Sequence, residues 1–345
     1  MRFWLFLLAI LVVLAGAAGL RLRAFNQFAA LEPVALAACA PVRGIAGPED
    51  IEVDEARGRA FISSLDRRTE GARGAIHVFD VADPLSEAGF RDRTGGVPAA
   101  FRPLGLNYYE DGDIRRVFVV NEAGPSVEVF DVAPNGDLAH LETFAERRLT
   151  SPNSVVAVGP RQFYVSNDVR PGRQTRIADL HFVMQSDSGE IFFVDDAVWR
   201  VAADGLRFAN GLALSPDGAT LYAAETSGKA LKIFNRDAAN GTLSLNKTVR
   251  LKSSPDNINV DPAGAVWIAA LPKPLETPRL QQDADAIAPS EVIRLDPDGS
   301  LTTIYRNDGA EQSASTVAAP VMNKLLIGAL YEEQFLFCDL PRAAQ

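Results

Sequence analysis

The chain has 345 residues, 47% of them hydrophobic, a formal net charge of −10 and two cysteines. That is enough apolar material to bury one large core or two ordinary ones. The acidic balance excludes a nucleic-acid partner, which calls for a concentrated basic face.

Residues 3–20, "FWLFLLAILVVLAGAAGL", form an uninterrupted apolar run behind Arg2. They predict a hydrophobic helix, either a membrane span of about 20 residues or a secretory leader. Residues 1–33 are therefore read as a leader or signal anchor with a short linker. Export follows: the remainder is expected in the periplasm, outside the cell, or anchored on the oxidising side of a membrane. Ala15-Gly16-Ala17 offers a small-residue cleavage site, whereas Arg21 and Arg23 suit a retained anchor, and both readings stand. Cys39 lies just past the leader and Cys338 near the end. In an exported chain, that placement points to a disulfide joining the termini, the competing reading being two buried unpaired thiols.

From residue 34 onward, helical periodicity is scarce, and short runs rich in Val, Ile, Phe and Tyr alternate with Gly, Pro, Asn and Asp clusters. One phrase recurs: a polar residue or two, an apolar strand, a turn, and a second apolar strand ending in small residues. It reads "EDIEVDEARGRAFISS" from 49, "LGLNYYEDGDIRRVFVVN" from 104, "PNSVVAVGPRQFYVSN" from 152, "ANGLALSPDGATLYAAE" from 209, "PDNINVDPAGAVWIAA" from 255 and "ASTVAAPVMNKLLIGAL" from 314. The spacing, roughly 45 to 60 residues, is that of a four-stranded propeller blade. Further strands are legible in "AIHVFDV", "SVEVFDV", "ALKIFNR" and "SEVIRLDPDG". Residues 34–345 are thus expected to be one all-β domain, a six-bladed β-propeller whose ring Cys39–Cys338 would fasten. The interruption at 272–290 is polar and punctuated by proline; it reads as a lid or rim, or as an ordinary surface loop.

In a propeller, the innermost strands all begin at one end of the central channel. The residues heading the repeats are Glu49-Asp50, Leu104, Asn153, Asn210, Asp256-Asn257 and Ser315-Thr316. Carboxylates and amide oxygens crowded in a narrow channel repel and cannot be freely solvated, a conflict that a divalent cation removes. An all-oxygen set of five suits calcium better than magnesium. Zinc is disfavoured, because His77, His140 and His181 show no ligand spacing. The alternative for each residue is a turn former bonding its own backbone.

The phrases "PEDIEV", "VVAVGPRQFYVSND", "FANGLALSPDGATLYAAE", "DNINVDP" and "KLLIGALY" resemble the serum paraoxonase and arylesterase family from about Cys39 to Cys338. The resemblance implies a six-bladed propeller with two calcium ions that hydrolyses lactones and aryl esters. It assigns Glu49, Asn153, Asn210, Asp256 and Asn257 to the catalytic calcium, and Leu104, Phe208, Thr316 and Tyr331 to the pocket wall. For a second, structural calcium it offers Asp50 and the Leu106 carbonyl, but Ser154 stands where the family has an aspartate. The family's paired proton-transfer histidines are replaced by Leu104 and Glu122.

The expected function is a calcium-dependent hydrolase of small lactones or aryl esters. Asp256 is the candidate base, Glu49 the charge-balancing ligand, Asn153 and Asn210 the supporting amides, and Glu122 and Asp168 secondary proton acceptors. The alternative is a non-catalytic calcium-stabilised propeller that binds a ligand or partner; a sugar-acid lactonase or strictosidine-synthase-like propeller comes third. A retained N-terminal segment would make the membrane a partner as well.

Overall fold

In the computed structural model, which describes residues 2–84 and 90–340, six sheets surround a central channel, antiparallel except where Thr94–Gly95 pairs parallel with Leu138–Ala145. Their first strands touch in a closed cycle, each sheet against the next and the sixth against the first. Blade 1 is built from Pro48–Asp54, Arg59–Ser64, Ala75–Asp80 and Phe90–Asp92. The inner strands of blades 2 to 6 are Pro103–Asp111, Pro152–Gly159, Ala209–Leu214, Ser254–Val260 and Ser315–Val321. Each begins at an expected repeat, so the six-bladed propeller read from the repeats is the fold observed.

Large side chains fill the space between neighbouring sheets, for example Phe118, Phe163 and Phe192 between blades 2 and 3, and Trp267, Tyr305 and Leu325 between blades 5 and 6. The fourth strands, such as Leu243–Arg250 and Leu301–Asn307, escape notice in the sequence because they are half-solvated and carry no apolar run. The ring closes on blade 6, where Ala40–Arg43 pairs antiparallel with Gln334–Asp339 as its outermost strand. The Cys39–Cys338 disulfide lies beside this pairing and spans a separation of 299 residues. On the chain-entropy model, a loop of that length stabilises the fold by about 5–6 kcal/mol.

Helix α1, Arg2–Ala24, is long and apolar enough to cross a membrane and buries none of its residues. Its end is tied to the propeller face where the inner strands begin: Phe25 is buried and stacks 5.5 Å from Phe182, and Asn26 donates to the Lys252 and Pro272 carbonyls. Phe182 belongs to α2, Ala178–Met184, inserted between the second and third strands of blade 3. At seven residues, α2 is too short to show periodicity, which is why no helix was expected there. The 272–290 interruption contains α3, Thr277–Gln282, and packs through Leu280 against Leu271, Ala288 and Tyr331.

The inner strands share one irregularity. Pairing with the second strand slips between Pro48 and Ile51, Pro103 and Leu106, Pro152 and Val155, Ala209 and Leu212, Pro255 and Ile258, and Ser315 and Val317. A bulge inserts unpaired residues and breaks strict alternation. Consecutive residues such as Asp256 and Asn257 are thereby both released from the ladder at the channel mouth.

Candidate active site

A cavity of about 520 Å³ opens on this face. Its floor takes one residue from every blade, each released by the bulge: Glu49, Leu104, Asn153, Asn210, Asp256 and Thr316. Connections between blades and between second and third strands build the wall, which includes Arg67, Arg102, Glu122, Arg173, Phe208, Thr226 and Tyr331. Phe182 of α2 and Pro274 and Leu275 of the 272–290 segment complete it. All four expected pocket residues, Leu104, Phe208, Thr316 and Tyr331, line this space. Phe208 holds a φ of 62°, a strained setting for an aromatic residue, and meets Phe182 edge-on at 5.1 Å.

The floor is bound together in two pairs. Asn210 Nδ2 donates to Asp256 Oδ1 at 2.6 Å and to Thr226 Oγ1 at 3.0 Å. Asn257 Nδ2 donates to Glu49 Oε1 at 2.8 Å and to the Glu49 carbonyl at 3.2 Å. With those amide hydrogens engaged, four buried oxygens remain without a hydrogen-bond partner: Glu49 Oε2, Asn153 Oδ1, Asn210 Oδ1 and Asn257 Oδ1. A buried acceptor left unmatched costs about 1–3 kcal/mol. Among the described residues, no three His, Cys, Asp or Glu side chains gather into a metal cluster, so a metal here would depend on amide oxygens. Two carboxylates among three such amides fit a hard cation of calcium's type.

The electrostatics agree with that donor set. Burial pushes the Glu49 carboxyl up from its ordinary range against the attraction of Arg67. Burial, followed by repulsion from Glu49, drives Asp256 well above its usual value. Adjacent buried carboxylates that resist ionisation are what a divalent cation would relieve.

The next layer down differs. Asp50, also pushed well up by burial and by Glu49, accepts the Leu106 N–H at 2.8 Å and the Ile51 N–H at 2.9 Å. Ser154 Oγ accepts the Leu212 N–H at 3.1 Å. Gly105 and Gly211 occupy the equivalent places in blades 2 and 4, where a Cβ would come within 2.5 Å of the Asn153 carbonyl oxygen and 2.6 Å of that of Asp256. Asp50 and Ser154 fasten their blades to the next by these bonds, and the two glycines allow the backbones to approach closely. It is the Leu106 N–H that engages Asp50, and neither Asp50 nor Ser154 keeps a buried oxygen free of partners.

The secondary proton acceptors are tied up. Glu122 lies between Arg102 Nε at 3.2 Å and Arg173 Nη1 at 3.0 Å. Asp168 is fully buried, lies outside the cavity lining, and takes hydrogen bonds from Arg173 and the Ser151 hydroxyl. His140 binds Glu128 in blade 2, and His181 on α2 is not a cavity residue. A shallower cleft of about 830 Å³ beside Glu128 holds no orphaned acceptor, since Ser126, His140 and Thr143 all bond that carboxylate. Arg67, Arg102 and Arg173 are the charged site residues that sequence reasoning missed, and Thr226 and Phe182 were missed with them. The signal for the arginines was a set of basic residues on the connections between strands of an acidic chain.

Fold and site together define a six-bladed propeller with a deep, partly polar cavity at one end of its channel, the arrangement of a propeller enzyme. More narrowly, the chain belongs to the arylesterase family, whose family model, described as Arylesterase, matches residues 30–340. It is 31% identical over 334 residues to serum paraoxonase/arylesterase 1 of Rattus norvegicus, covering 91% of this chain and 92% of that one. Over 353 residues it is 32% identical to serum paraoxonase/arylesterase 2 of Gallus gallus, with 96% and 98% covered. Among solved structures, a gluconolactonase from Xanthomonas campestris matches with a TM-score of 0.58 at 18% identity, covering 91% of this chain and 96% of that one. Regucalcin from Agrobacterium tumefaciens, described as a calcium-binding protein, matches with a TM-score of 0.55, also at 18% identity, covering 90% and 96%.

Proposed function

We propose that the chain is a calcium-dependent hydrolase of lactones and aryl esters, as its family membership and cavity suggest. The observation that carries the calcium reading is the set of four unpartnered buried oxygens on Glu49, Asn153, Asn210 and Asn257, with Asp256 beside them. In this reading those five side chains hold one ion, which when bound supplies Lewis-acid polarisation of the ester carbonyl and stabilises the charge that develops on its oxygen. Asp256 lines the cavity with its Oδ1 held by Asn210, and is the carboxylate placed to act as general base. It accepts the proton of the attacking water. Both N–H groups of Asn210 are engaged, so this amide orients Asp256 instead of donating to substrate. Leu104, Phe208, Thr316 and Tyr331 shape the substrate wall and keep bulk water from the carbonyl. A second ion at Asp50 is not required, because the carboxylate is already met by backbone donors. With α1 retained, the enzyme is tethered at a membrane and exported; with α1 removed, it is released.

The test is hydrolysis of phenyl acetate and of a simple aliphatic lactone before and after chelation. Activity should vanish in chelator and return with calcium. Turnover indifferent to chelation would exclude the reading.

The locking of Glu122 between two arginines favours one other reading, a calcium-stabilised propeller that binds without turnover. It predicts calcium-dependent melting with no hydrolysis on a broad ester and lactone panel.

A further inference from the structure

The cavity wall carries three guanidinium groups, on Arg67, Arg102 and Arg173. Arg102 and Arg173 share the single carboxylate of Glu122, and Arg173 is held from behind by Asp168. Arg102 uses only Nε in its pairing, and its two terminal nitrogens have no partner among the described residues. Arg67 forms no ion pair among the described residues. Its bonds go to two main-chain carbonyls, from Nη2 to Pro103 at 3.0 Å and from Nη1 to Gly47 at 3.5 Å. Of the five N–H donors of its guanidinium, most are therefore uncommitted, on a half-buried group that faces the floor.

A cation partly removed from water without a counter-charge is costly. Two carboxylates that feel its charge, Glu49 and Asp256, are those the proposed function commits to the ion, whose two charges they neutralise. The charge of Arg67 is then left over. The chain as a whole carries −10, so this basic wall is a local construction, and remote acidic residues are screened beyond about 8 Å. A planar carboxylate is the natural complement of a guanidinium fork, and a cavity of about 520 Å³ has room for a ring that carries one.

We propose that Arg67, with the free end of Arg102, forms a subsite for a carboxylate on the substrate, so that the preferred ester or lactone is an anion. The inference deepens the ester-hydrolase reading and rests on it for turnover, though not for binding. A site furnished with polar partners discriminates strongly against an analogue that leaves them unmatched, so a neutral ester binds with Arg67 unanswered.

The experiment compares phenyl acetate with 4-acetoxybenzoate, which adds a carboxylate to the leaving group, for the calcium-loaded wild type, Arg67→Gln and Arg67→Lys. The ratio of kcat/KM for the anionic ester to that for the neutral one should exceed about tenfold in the wild type and decline with added salt. It should fall at least about tenfold in Arg67→Gln and recover in large part in Arg67→Lys. The same ratio in wild type and Arg67→Gln overturns the subsite. Should Arg67→Gln fail to fold, Arg102→Gln is read in the same way, and an unchanged ratio there also overturns it. Calorimetric titration with 4-hydroxybenzoate separates this inference from the hydrolase reading. If neither ester is turned over, the hydrolase reading fails, yet the subsite still requires binding at least about tenfold tighter to wild type than to Arg67→Gln; equal affinities overturn it.

Discussion

The two layers released by the bulges sit one residue apart in the chain and behave in opposite ways. Asp50 and Ser154 meet main-chain donors of the next blade, so their polar groups are satisfied by the fold itself. Glu49, Asn153 and Asn210, each one position earlier, line the cavity and each keep a buried oxygen that no protein group answers. Asn257 straddles the division: it sits at the lower position, yet its amide reaches Glu49 and its oxygen stays unpaired. The lower layer is architecture and the upper is a site. A polar group that stabilises the ring has its partner built in, whereas one that serves a ligand is left incomplete.

The sharpest way to break that comparison is to truncate one residue in each layer. Asp256→Ala should lower kcat/KM on phenyl acetate by about 10³-fold or more and abolish the calcium-induced rise in melting temperature. Folding without calcium should survive, because the variant relieves repulsion with Glu49. Asp50→Ala should do the reverse: two buried N–H groups lose their acceptor, and stability should fall by about 3 kcal/mol, equally with and without calcium, as read by denaturant titration. If Asp50→Ala instead removed only the calcium-dependent part of the stability, the lower layer would belong to the site.

Glu49→Gln tests the sign of the upper layer. In chelator, it should stabilise the protein by about 1 kcal/mol, because one of two repelling buried carboxylates is gone. In calcium, it should destabilise it and cost activity. Melting curves that do not cross between the two conditions would show that Glu49 and Asp256 are not held together by an ion.

The last effect concerns half-buried Glu52, whose carboxyl is pushed up to about 7 by burial despite a hydrogen bond from Asn107. Its pKa is higher folded than unfolded, so the native state binds the extra proton. The contribution of Glu52 to stability should therefore be greatest below pH 4.5 and decline as the pH rises toward 7. Glu52→Gln should flatten that part of the profile in chelator; an unaltered slope would place the effect on another group.

Much of the floor was legible in advance because a propeller repeats. Once six phrases are aligned, their heads are bound to converge, and Glu49, Asn153, Asn210, Asp256 and Asn257 stand out as oxygen donors in places where a strand should be apolar. The charged part of the wall was not legible. Arg67, Arg102 and Arg173 lie on connections of different lengths, and nothing in their spacing reveals that they face one cavity. Nor could the bulges be read: an extra unpaired residue is a relation between two strands, and Asp256-Asn257 looks like any turn-forming pair until its partner strand is known.

The sequence alone determined the number of blades, where each inner strand begins, the apolar N-terminal helix and the residue types at the channel mouth, since these follow from local periodicity and repetition. Only the tertiary structure decided which polar groups are answered and which are left open. Satisfaction is a property of pairs: whether Asp50 finds the Leu106 N–H, or Asn210 spends its hydrogens on Asp256 and leaves its oxygen bare, depends on blades brought together by closing a ring that joins residues 299 positions apart.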